Sequence, residues 1–69
     1  MKWYEIDIYE DENGELSDRM FSRNEELAMK IAKTAKKEFN PARVEINRCF
    51  GNRNGETFDY DNVELVEVL

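Results

Sequence analysis

The chain reads as an α+β domain of the two-layer ββαββ kind, with one helix packed on one face of a four-stranded, mainly antiparallel sheet. Three observations predict it. Ser22–Phe39 is the one stretch with apolar residues at helical spacing. Trp3–Tyr9 alternates apolar and polar residues with the period of a strand. Asn13-Gly14 and Asn54-Gly55 lie on either side of the helix, each between extended stretches, where hairpins turn.

In the first strand, Tyr4, Ile6 and Ile8 point toward the helix, and Trp3, Glu5, Asp7 and Tyr9 point away. Asp11-Glu12-Asn13-Gly14 carries Asp and Gly where a type I turn prefers them. With Gly14 left-handed, a Glu12–Gly14 loop sets Asp11 against Glu15 and Ile6 against Met20. A two-residue loop would mix the faces. The second strand, Glu15–Phe21, puts Leu16 and Met20 on the core face and Arg19 and Phe21 on the other. Asp18 on the core side suits an edge strand.

The helix opens on a capping box, Ser22 with Glu25, and stops at Asn40-Pro41. Leu27, Ala28, Ile31, Ala32, Ala35 and Phe39 form its apolar stripe. Acidic Glu25 and Glu26 begin it and basic Lys36 and Lys37 end it, as the helix dipole favours. The opposite face carries Met29, Lys30, Lys33, Lys36 and Lys37, a solvated face or a secondary basic docking stripe with Met29 as its apolar contact.

Ala42–Cys49 is the third strand, with Val44 and Ile46 inward. A two-residue Asn54-Gly55 turn pairs Arg53 with Glu56, Arg48 with Asp61, Ile46 with Val63 and Val44 with Leu65. Val63 and Leu65 then face the helix, while Val66 and Val68 do not unless a bulge intervenes. Strand order 2-1-3-4 is expected, because the most apolar strand belongs inside; 1-2-3-4 and 2-1-4-3 are the alternatives.

Sixty-nine residues make a single domain, 1-69. A chain of this size buries only about 60% of the surface it exposes unfolded. Dimerisation is the expected remedy, since one cysteine cannot close an internal disulfide and histidine is absent. The net charge is −6. Arg23–Phe39 carries +2 of it and the remainder −8, a mildly basic helix on an acidic sheet. Net acidity argues against general affinity for nucleic acid. No signal peptide or membrane span is expected. The lone Cys49 suits a reducing, cytoplasmic setting. In scale and acidity the chain resembles many small bacterial and phage proteins, a likeness of type that implies no activity.

No catalytic, cofactor or metal residues are predicted. Without histidine there is no Ser/His or Cys/His pair and no common zinc site. Asp59 and Asp61 share a strand face, and Asp11–Glu15 lacks calcium-loop spacing. The uncovered face of the sheet carries the functional expectation. Trp3, Tyr9, Phe21, Tyr60, Val66 and Val68 make it too apolar for an idle surface. The chain is therefore expected to be a small non-enzymatic interaction module, a homodimer or a partner-binding or inhibitory protein. One alternative is single-strand nucleic-acid binding by the open face, which Glu5, Asp7 and Glu45 oppose. Another is an acidic mimic of nucleic acid that blocks a basic groove.

Overall fold

The computed structural model describes Met1–Leu69. Its elements are β1 (Lys2–Tyr9), β2 (Asp18–Ser22), α1 (Glu25–Phe39), β3 (Arg43–Asn54) and β4 (Thr57–Val68). They form one antiparallel sheet in the order β2-β1-β3-β4, with α1 across one face. The fold class and strand order match the expectation from sequence. No helix is long and apolar enough to cross a membrane.

The β1–β2 ladder has the expected register, with Ile6 opposite Met20. Asp11–Gly14 closes through a 3.1 Å bond from the Gly14 amide to the Asp11 carbonyl, but Gly14 does not take the expected left-handed conformation. The ladder begins only at Asp18, so Glu15 and Leu16 lie in the loop and Leu16 stays exposed rather than joining the core.

The helix starts later than predicted. Ser22 lies in the sheet opposite Tyr4, and the chain stays extended through Asn24, so the first helical residue is Glu25. Asn24 is the cap instead, its Oδ1 accepting a 2.7 Å bond from the Leu27 amide. Ser22 supports that cap by donating from its hydroxyl to the Asn24 carbonyl at 3.0 Å. At the other end Asn40 is left-handed, with φ 46°, and its amide bonds to the Lys36 carbonyl.

Ala28, Ala32 and Ala35 are buried, and their small side chains let α1 lie close on Ile6, Ile8, Val44 and Ile46. Leu27 and Phe39 flank the stripe and remain exposed, Phe39 by 75%. Met29, expected in solvent, is partly buried and packs against the core.

The β3–β4 hairpin departs most from expectation. Its loop is Gly55-Glu56, with Asn54 opposite Thr57 and Gly55 at φ 62°. Gly55 thus supplies the positive φ that a two-residue hairpin loop requires. Two bulges follow, between Phe50 and Gly51 and between Ile46 and Asn47. A one-residue slip turns a strand over. Val63 and Leu65 consequently pair with Cys49 and Asn47 on the uncovered face, and Val66 packs into the helix-side core. Both placements reverse the predicted ones. Arg48 meets Glu64, Arg53 meets Phe58 and Ile46 meets Glu67.

β3 and β4 each run 12 residues against 8 in β1. Their overhang folds back across the uncovered face. Neighbouring strands lie about 4.8 Å apart, so a flat sheet would hold β4 and β2 roughly 14 Å apart. Yet Phe58 of β4 stacks on Phe21 of β2 with ring centres 5.2 Å apart, and lies 4.6 Å from Trp3. Gly51 sits at the bend, where the two strands of the hairpin approach too closely for a side chain.

Candidate interaction surface

The curl turns the expected open face into a second small core. Trp3, the intended anchor, is only 3% exposed, closed in by Phe58 and Tyr60. It is not available for direct contact. Tyr9 is half-buried beneath Arg43, whose guanidinium carbon stands 4.2 Å from the ring centre. Val66 lies on the other side of the sheet. Phe21, Tyr60 and Val68 remain as predicted, each nearly half exposed.

Below the aromatic rings lies a polar cluster. Glu5 and Asp7 are buried, at 4% and 3% exposure. Arg19 donates from Nε to Asp7 at 2.7 Å and stands 3.6 Å from Glu5. Asn47 donates to Asp7 at 3.2 Å, and the Tyr60 hydroxyl donates to Glu5. Buried carboxylates need such partners, and here each faces a cation and a neutral donor. Burial, then the bond to Glu5, pushes the Tyr60 hydroxyl up to about 12, because its oxygen lies inward although the ring edge is exposed. Burial, and then the nearby Glu5, pushes the Cys49 thiol to about 12 as well. Cys49 is therefore a thiol at neutral pH, not a thiolate. Arg19 is held charged more firmly, chiefly by its bond to Asp7.

On the helix side of β4, Arg48 reaches Tyr4, Glu25 and Glu64, which tie β3 to α1 and β4 and raise the guanidinium's affinity for its proton. Lys36 turns back to the carbonyls of Pro41 and Ala42 at 2.9 and 3.2 Å, so it serves the helix end rather than a docking stripe. Lys30, Lys33 and Lys37 stay exposed. No group of three or more His, Cys, Asp or Glu side chains is placed to hold a metal ion.

On the uncovered face, the exposed apolar side chains lie mostly along β4, while Met1, Leu16, Leu27 and Phe39 are exposed elsewhere. Val63, Leu65 and Val68 are 49%, 60% and 46% exposed on the same face as Tyr60. Val63 and Leu65 were not foreseen there. β4 is also a free edge of the sheet, and its backbone groups divide between β3 and solvent. Val44 and Leu69 exchange both backbone hydrogen bonds, at 3.0 and 2.8 Å, so even-numbered β3 residues turn toward β4. Gly51 exchanges its bonds with Met1, so odd-numbered residues turn toward β1. The partners of the even set, Asn62, Glu64 and Glu67, face inward. Val63, Leu65 and Val68 therefore present both their apolar side chains and their unpaired N–H and C=O groups at one margin.

Comparison with family models, curated proteins and solved structures finds no match for this chain. A cleft of about 450 Å³ at the hairpin end is lined by Trp3, Phe21, Arg23, Leu27, Arg53 and Phe58 among others.

Proposed function

We propose that the chain is a small acidic interaction module without enzymatic activity, which engages another protein chain along the exposed edge of β4. One observation carries the reading: a 12-residue edge strand whose outward backbone groups belong to Val63, Leu65 and Val68, themselves about half exposed. Natural sheets blunt such edges, and an uncovered one receives a further strand. The polar cluster of Glu5, Asp7 and Arg19 supports a structural role for the chain's buried acids. Glu5 and Asp7 are buried and each is paired within the chain.

Residue-resolved amide exchange tests this. In the isolated chain the Val63, Leu65 and Val68 amides exchange fast while those of Asn62, Glu64 and Glu67 are protected. Partner binding slows the first set. Free exchange of that set in every mixture, including the protein at high concentration, refutes the reading.

A second reading is single-strand nucleic-acid binding, favoured by the hairpin-end cleft. There Phe21 is exposed beside Arg23 and Arg53, neither of which forms an ion pair. Amide shifts at Phe21, Arg23 and Arg53 on adding an oligonucleotide, with Val63, Leu65 and Val68 unmoved, would mark it, whereas edge pairing moves the second set.

A further inference from the structure

We infer that the occupant of the β4 edge is an extended segment of a different protein in which apolar and basic residues alternate, and not a second copy of this chain; the inference rests on the reading of β4 as a contact edge.

The two faces of β4 differ in chemistry: all its acids lie off the uncovered face, beside Asn62 and the core-packed Val66 and Leu69. On the uncovered face stand Phe58, Tyr60, Val63, Leu65 and Val68, all apolar or aromatic. Asp59, Glu64 and Glu67 point the other way, and Asp61 stands in the bulge beside them. Glu64 has Arg48 at 3.2 Å, but none of the fold's ion pairs includes Asp59, Asp61 or Glu67. Three carboxylates along one edge thus lack a cation.

A strand added to an edge places its alternate side chains beside those of the strand it joins. On one side it would meet Val63, Leu65 and Val68; on the other, the carboxylates. Apolar residues satisfy the first row, and lysine or arginine the second. Two copies of β4 joined about a two-fold axis would instead set carboxylates against carboxylates. Like charges directly opposed are destabilising, and the net charge of −6 on each copy adds to the repulsion. The charge pattern therefore selects a basic partner strand over self-pairing.

The test uses the full chain and blocked six-residue peptides. One peptide alternates lysine with valine and the other glutamate with valine. Titration is followed by amide NMR shifts. The lysine peptide is expected to bind about tenfold tighter or better, from a few cross-strand charge pairs, and to shift Val63, Leu65 and Val68. Leu65→Pro removes an outward N–H without touching the β3 ladder, and it should abolish binding while helicity is unchanged. Glu67→Lys, an exposed change that keeps the fold, should erode the lysine preference. Equal binding of the two peptides overturns the charge selection and leaves the contact edge standing. So does a dimer through β4 seen by solution mass. Binding that survives Leu65→Pro, or none by either peptide, overturns the inference, and the second result with freely exchanging edge amides takes the contact edge with it.

Discussion

Gly51→Ala is the sharpest probe of the curled hairpin. A Cβ at Gly51 would stand 1.9 Å from the Asp59 carbonyl oxygen and 3.0 Å from its carbon. Gly51 has no positive φ, so the backbone itself tolerates alanine and the whole effect is steric. Ordinary contact needs more than 3 Å, so the strands must part by over an ångström. The obstacle is backbone, which cannot rotate away as a side chain tip does. Overpacking of this kind costs about 1–3 kcal/mol, and loosening Phe58 from Trp3 adds roughly another 1 kcal/mol from the aromatic contact. A domain of this size has only about 3–10 kcal/mol of stability. Urea unfolding read by Trp3 emission and by far-UV circular dichroism separates two outcomes. Global loss moves both midpoints together. Local opening of the hairpin shifts Trp3 emission to the red at low urea and leaves the helix signal in place. Either agrees with the close approach. A variant within about 0.5 kcal/mol of the parent, with unchanged Trp3 emission, refutes it.

Two further outcomes follow from the structure. Asn24→Ala should lower stability by about 1 kcal/mol in urea unfolding, and Asn24→Gly by only a few tenths, because Asn24 holds the Leu27 amide. Tyr60 and Cys49 both hold their protons more tightly when folded, with values near 12 against ordinary values of 10.0 and 9.0. A raised folded value gives stability that is complete below the unfolded one and lost as pH climbs toward the folded one. The urea midpoint should therefore fall between pH 9 and 12, and Tyr60→Phe with Cys49→Ala should flatten that fall.

Much of the fold was legible because it rests on local periodicity. Tyr4, Ile6 and Ile8 against Ala28, Ala32 and Ala35 is a strand pattern meeting a helix pattern, and both survive folding intact. Ser22 and Asn24 are both good caps two residues apart, and only the backbone, extended as far as Asn24, decides between them. The hairpin was misread because an unbroken period was assumed. Its apolar residues fall at 58, 60, 63, 65, 66 and 68. The three-residue step from Tyr60 to Val63 and the adjacent pair Leu65-Val66 break the alternation, and each break is where the strand bulges. The breaks are visible in the sequence, but only the ladder to β3 decides that Val63 and Leu65 stand on the uncovered face and Val66 on the other. The burial of Trp3 had no such local sign, since it depends on how far β3 and β4 outrun β1.

That overhang also changes how a short chain meets its need for buried surface. Dimerisation on the open face is one remedy; the hairpin supplies another by covering Trp3 and Glu5 from within the same chain. Covering the centre of the sheet leaves its margin, because the strand that curls cannot hide its own outer edge. Bulges commonly twist an edge out of reach. Here they instead restore Phe58, Tyr60, Val63, Leu65 and Val68 to one face despite the slips in their spacing. The acids of β4 are gathered opposite them. Such an edge keeps an apolar row and open backbone groups exposed beside unpaired carboxylates, the features on which the proposed contact with a basic strand rests.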